Sequence, residues 1–201
     1  MALFMSRFAA NLLVLFLALS PILLAGCGGD DSSAVELTED QKLKLQFKAV
    51  EQLREFGCRV KEVDDKWLGI SGVMVQLFPE HITEKGHIRK DVKKHFRHLI
   101  NCFLILDRTP ISDEGILPLR DLNNLRLLSV QHTNITNKGL SNIHGIVSSR
   151  LLRLNWTRID DEGLRFIRRL PDLVLLYLSG TYITDKSLEK LAELDKLAAL
   201  Q

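Results

Sequence analysis

A period of 24 residues constrains this chain more than any other property: Thr109, Thr133, Thr157 and Thr181 recur at that spacing, and a register of other positions recurs with them. Two places after each Thr stand Ile111, Ile135, Ile159 and Ile183, and then the pairs Ser112-Asp113, Thr136-Asn137, Asp160-Asp161 and Thr184-Asp185. Gly115, Gly139 and Gly163 follow, with Ser187 breaking the run. A chain built this way folds by stacking like units, because one unit alone cannot cover its apolar side.

The apolar columns say what a unit is. Leu104, Leu128, Leu152 and Leu176 form one column, and Leu106, Val130, Leu154 and Leu178 a second. This apolar-x-apolar alternation just before each Thr predicts a short strand. Downstream, Ile116, Leu140, Leu164 and Leu188, then Leu119, Ile143, Ile167 and Leu191, then Leu122, Ile146, Leu170 and Leu194 advance in steps of three, which suits a short helix or 3₁₀ turn. One unit is therefore strand, turn, helix.

With these residues in view the chain resembles a leucine-rich repeat protein, of the bacterial kind whose units read LxxLxLxxTxITDxGLxxLxxL; the run from Leu173 to Asp185 matches best. The resemblance covers Phe103 to the C-terminus strongly and Ala49 to Arg97 weakly. It implies an α/β leucine-rich repeat solenoid, with short parallel strands on the concave side and short helices on the convex side. The Thr stands where many such repeats have Asn, and a short polar side chain there is expected to bond backbone groups that the turn leaves unpaired. The Ser, Thr or Asp after the Ile suits a helix N-cap.

Residues 1–26 carry Arg7, an apolar stretch from Leu12 to Leu24 and the box Leu24-Ala25-Gly26-Cys27, which resembles a bacterial lipoprotein signal peptide. The resemblance implies cleavage before Cys27, acylation of its sulfur and amino group, and a location in the cell envelope facing periplasm or exterior. Residues 27–37 then read as the acylated Cys and a flexible tether, rich in Gly, Asp and Ser. Several buried acyl chains at about 0.8 kcal/mol per CH₂ anchor a protein stably. Loss of Arg7 takes the formal charge from +2 to +1, and nothing in that balance favours nucleic acid. With Cys27 lipidated, Cys58 and Cys102 remain, either as a disulfide, which a non-cytoplasmic compartment permits, or as two buried thiols.

Residues 38–98 read as an N-terminal cap. Thr38-Glu39-Asp40-Gln41 fits a capping box, and Leu43, Phe47, Val50, Leu53 and Phe56 fall on one helical stripe ending at Gly57. Arg59–Val63 and Trp67–Ile70 alternate as a hairpin around Asp64-Asp65-Lys66, with a further strand at Val73–Leu77. His81-Ile82-Thr83-Glu84-Lys85-Gly86 echoes the repeat signature as a degenerate first unit. Residues 99–201 hold four units and, at Leu197 and Leu200, the start of a fifth. The C-terminal end reads as exposed core, a site of pairing or a truncation, and those alternatives stay open.

The resemblance places three rows on the outer side of the sheet: Phe103, Leu127, Leu151, Leu175; Ile105, Ser129, Arg153, Tyr177; and Asp107, Gln131, Asn155, Ser179. Strands stand about 4.8 Å apart, so the first row is expected to form an apolar ridge about 15 Å across, a candidate partner site unless it packs beneath a neighbouring segment. Arg153 and Tyr177, with Trp156 beside them, supply residue types enriched at binding hot spots, although Trp156 also reads as filling a turn. A basic helix with Arg89, Lys90, Lys93, Lys94 and Arg97, its Val92, Phe96 and Leu99 turned to the core, is a second candidate surface, for anionic lipid. His87, His95 and His98 lack a Cys or carboxylate to complete a metal-ligand set. There is no GxSxG, HExxH, P-loop or dinucleotide fingerprint, hence no expected catalytic residue, cofactor or small-molecule substrate. The function expected is non-catalytic recognition of a protein partner; the alternative is a structural or self-associating envelope protein.

Overall fold

The computed structural model describes residues 37–65, 70–143, 146 and 148–201. The expected signal peptide, Cys27 and most of the tether lie outside the described residues, as do Trp67 to Gly69 of the expected hairpin. Leu37–Gln201 form one compact unit. Among the described residues no helix is long and apolar enough to cross a membrane.

Seven strands make one sheet in chain order: β1 (Arg59–Asp65), β2 (Ile70–Gln76), β3 (Cys102–Ile105), β4 (Leu125–Ser129), β5 (Leu151–Arg153), β6 (Leu175–Tyr177) and β7 (Ala199–Leu200). β1 and β2 pair antiparallel and every later pair is parallel. The register follows the sequence period, with Leu128 beside Leu152 and Leu152 beside Leu176. Short α or 3₁₀ segments return the chain after each strand, such as Leu117–Asp121, Asn137–Asn142, Leu164–Ile167 and Glu189–Glu193. The inner columns fill the space between sheet and helices: Leu104, Leu128, Leu152, Leu176, Leu106, Val130 and Leu154 are all at 0 % exposure. This is the leucine-rich repeat solenoid that the sequence led one to expect.

The Thr column works as expected. Each hydroxyl donates to the carbonyl three residues back, Thr109 to Leu106, Thr133 to Val130, Thr157 to Leu154 and Thr181 to Leu178, all at 2.6 Å. The buried turn thus keeps its carbonyl paired, which side-chain length allows only to a short residue.

Three of the four polar positions after the Ile take the N-cap role expected of them: Ser112 Oγ accepts from Gly115 N–H at 3.0 Å and Asp160 Oδ1 from Glu162 N–H at 2.9 Å. Thr136 likewise caps Asn137–Asn142, accepting from Lys138 N–H at 3.2 Å. The larger use is lateral, because the next residue reaches across to the following unit. Asp113 accepts from the backbone N–H and hydroxyl of Thr136 at 2.9 and 2.7 Å, and Asp161 accepts likewise from Thr184 at 2.7 and 2.8 Å. Asn137 exchanges two bonds with Asp160. This lateral rung explains the Gly column: a Cβ on Gly139 would stand 2.5 Å from Asp113 Oδ1. At Ser187 the same crowding becomes a bond, for its hydroxyl donates to Asp161 Oδ1.

The cap departs from expectation in three places. The hairpin's second strand is a single β2, joining the two short strands read around Ser71-Gly72. The first helix, α1 (Glu39–Glu55), has its capping box, yet Leu43 and Phe47 are 40 % and 53 % exposed while Ala49 and Leu53 are buried. Only the C-terminal half of α1 lies on the core, where Val50, Leu53 and Phe56 of the expected stripe pack together with Ala49. The basic helix is broken into a turn of α-helix at Lys90–Lys93 and a 3₁₀ turn at Phe96–His98, which still buries Val92, Phe96 and Leu99.

Cys58 and Cys102 are separate, free, buried thiols. Burial raises the Cys58 pKa to about 11 and the Cys102 pKa to about 12. The thiolate is the reactive form, so little of either is reactive near pH 8. Iodoacetamide at pH 8 is therefore expected to leave both unmodified in the folded chain and to alkylate both in denaturant; native-state labelling of either, read by peptide mass, would contradict the packing.

Candidate functional site

The apolar row does not form the exposed ridge expected of it. Phe103, Leu127, Leu151 and Leu175 are 1 %, 7 %, 4 % and 8 % exposed and form a second apolar cluster on the sheet's outer face. Neighbouring members are paired in register, so each covers its neighbours' flanks, and Val63, Met74, Ile105, Val174 and Tyr177 pack against them. Side chains from the adjoining rows and from the β1–β2 hairpin close over the row because removing its apolar surface from water is favourable at about 25 cal/mol per Å².

The second and third rows are largely satisfied among themselves. The Arg153 guanidinium lies 5.5 Å from the centre of the Tyr177 ring, and both residues are half-buried. Ser129 is fully buried and donates to Asp107 Oδ1 at 2.6 Å. Asp107 also accepts from the backbone and side-chain amides of Gln131, at 3.0 and 3.1 Å. Gln131 Oε1 then accepts from Asn155 Nδ2 at 2.9 Å, and Asn155 Oδ1 accepts from Ser179 N–H at 2.9 Å. Asp107, Gln131, Asn155 and Ser179 are therefore a hydrogen-bonded ladder running across the repeats, and its rigidity presents whatever lies beside it at fixed spacing.

What lies beside it is the residue before each Thr: Arg108, His132, Trp156 and Gly180. All four have left-handed backbone, with φ of 56°, 54°, 58° and 69°. Only Gly adopts that region freely; a bulky residue there is uncommon and strained. The strain is held from both sides. Trp156 N–H donates to Ser179 O at 2.9 Å, and the next residue, Thr157, is pinned by its hydroxyl bond to Leu154 O. The turn so held leaves Trp156 59 % exposed. Its ring stacks on His132, with centroids 5.8 Å apart and planes 9° from parallel. On the other side it lies over Gly180, where a Cβ would come within 2.6 Å of the ring. One column further out, Tyr182 is 69 % exposed and Arg158 is exposed too.

The structure thus separates the sequence candidates. Phe103, Leu127, Leu151 and Leu175 belong to packing, and Asp107, Ser129, Gln131, Asn155 and Ser179 to the ladder. Arg153 and Tyr177 form an engaged pair that remains partly accessible, and Trp156 is the candidate that stands in solvent. His132 and Tyr182 were missed. The signal for them is Gly180, since a Gly in one unit reports the backbone that all four units need at that column, and hence which side chains the turn throws outward.

A family model described as a leucine-rich repeat matches residues 121–143, which run from the first return segment through β4 to Ile143. No curated protein matches the chain. Among solved structures the chain is similar to internalin C2 of Listeria monocytogenes, at 25 % identity and a TM-score of 0.48 over 63 % of this chain and 49 % of that one. An internalin (inlF) of the same species gives 22 % identity and 0.42 over 57 % and 38 %. The plant peptide hormone receptor RGFR1 in complex with RGF2 gives 17 % and 0.37 over 68 % and 20 %. The chain spans about half the length of the first internalin and less of the other two. The matched segment is one of four like units of strand, left-handed turn and short helix stacked in one parallel sheet.

Proposed function

We propose that this chain is a lipid-anchored, non-catalytic recognition module of the bacterial cell envelope, which holds a protein partner against the polar ladder and the aromatic turn edge of its repeat sheet. The observation that carries the reading is Trp156: a large aromatic side chain kept in solvent by a strained turn and stacked on His132. Strained residues that the surrounding structure enforces cluster at binding sites, and Trp, Tyr and Arg are the residue types that dominate interface energetics. A repeat sheet fixed by the ladder has little freedom to lose on binding, which favours recognition by a preformed surface. The Leu24-Ala25-Gly26-Cys27 box supports the anchor.

The test is a crosslinking pull-down from intact envelopes with the native chain, Trp156→Ala, the pair Arg153→Ala with Tyr177→Ala, and Cys27→Ser. Trp156→Ala is expected to weaken capture by about tenfold or more, the loss typical of an aromatic hot spot. Its fold stability is expected to change little, since relief of backbone strain is small and the ring is mostly solvated. Cys27→Ser is expected to leave the membrane fraction. An unchanged partner set in both surface variants would refute the recognition site, whereas retention of Cys27→Ser in membranes would refute the anchor alone.

A further inference from the structure

Half of the large apolar side chains exposed among the described residues belong to the cap end of the chain. Leu37, Leu43, Phe47 and Ile100 are 43 %, 40 %, 53 % and 43 % exposed, whereas Leu117, Trp156, Tyr182 and Leu200 are spread along the repeats. Leu43 and Phe47 stand one turn apart on one face of α1. Between them Gln46 Oε1 accepts from the Ile100 N–H at 2.6 Å, which holds Ile100 beside that face. Leu37 leads into it from the residue before the N-cap Thr38. The buried residues of α1, Ala49 and Leu53, lie in its other half, and a few helical turns without packing are marginal in water.

Area, tether and charge select what covers this face. Four side chains exposed by about half offer on the order of 350 Å², well under the about 800 Å² that each partner buries in a stable protein–protein interface. A second copy of the chain is therefore a poor match. A surface to which the chain is already joined is a good one, because the link replaces a bimolecular encounter with a local one. This step rests on the anchor proposed above: nine residues separate Cys27 from Leu37, so even a fully extended link spans only about 35 Å. With 17 residues α1 is itself about 25 Å long, so it stays within little more than its own length of the bilayer. The acids at this end are offset, Glu39 by Lys42 at 2.8 Å and Asp40 by Lys44 at 2.6 Å, which leaves the start of the helix formally neutral. Phe and Leu are side chains that interfacial helices bury at the boundary of headgroups and acyl chains.

We propose that α1 docks on the bilayer beside the anchor, with Leu37, Leu43, Phe47 and Ile100 entering the headgroup boundary and no anionic lipid required. The contact gives the repeats a fixed bearing on the membrane, which a tether alone does not.

The test places the lipidated chain in phosphatidylcholine nanodiscs, with and without a lipid carrying a nitroxide just below its headgroup, and follows methyl NMR signals. Selective loss of the Leu37, Leu43 and Ile100 signals is expected, while those of Leu117 and Leu200, of similar exposure, are retained. Leu43→Gln with Phe47→Gln is expected to restore the Ile100 signal while the chain stays in the nanodisc. Both positions are exposed, so the variant keeps the native melting temperature. Equal losses at all five positions, no loss in an anchored chain, or the same Ile100 loss in the double variant would overturn docking and leave the anchor standing. A chain that fails to enter nanodiscs would overturn anchor and docking together. Concentration-dependent dimers of the Cys27→Ser chain, abolished by the same double substitution, would assign the face to a second copy and overturn the proposal.

Discussion

Phe103→Ala is expected to lower the unfolding free energy by about 3–5 kcal/mol, the usual cost of deleting a buried Phe side chain. Phe103 is 1 % exposed, paired in register with Met74 on one side and Leu127 on the other. It sits where the hairpin cap meets the first full repeat, so its loss opens the outer cluster at that junction. On an exposed ridge the same change would cost under about 1 kcal/mol, as surface substitutions do. Urea denaturation distinguishes the two, and a value below 1 kcal/mol would return the row to the surface and to a possible partner.

His81→Ala is expected to cost about 2–4 kcal/mol, combining a cavity with two buried groups left unpaired. His81 is at 0 % exposure, and its Nδ1 accepts from the Phe78 N–H at 2.8 Å. Nε2 therefore carries the ring hydrogen and donates to the Phe56 carbonyl at 2.9 Å. Phe56 is the C-cap of α1, so this one ring fastens the helix end to the degenerate first unit. Hydrogen exchange should speed up in α1 while amides of β4 to β6 keep their protection, since local opening follows local contacts. Native-like protection of α1 in the variant would show that the ring is not the fastener.

What the sequence disclosed and what it hid divide along a physical line. Leu104, Leu128, Leu152 and Leu176 were legible because burial between sheet and helices repeats with every unit, and the Thr column because its bond is local to one turn. Phe103 to Leu175 were misread because alternation tells which face of a strand a residue takes but not whether that face is covered; the cover comes from Val63 and Met74 of the hairpin and from Ile105 and Tyr177 of the next row. Leu43 and Phe47 share a helical stripe with Leu53, but only the second half of α1 has anything beneath it. His81 looked like a relic of the repeat signature, because its distant partner, Phe56, is joined to it only by folding.

The bond between Ser187 and Asp161 sets a rule on how such an array can be rearranged. What stands at that corner is set by the preceding unit: Asp161 receives the Ser187 hydroxyl, whereas Asp113 and Asn137 stand where a Cβ on Gly139 or Gly163 would come within 2.6 Å. Modules of this chain are therefore keyed to the order in which they stand. Shuffling, duplicating or excising one of them must carry across its neighbour's matching half, or leave a collision at the new seam.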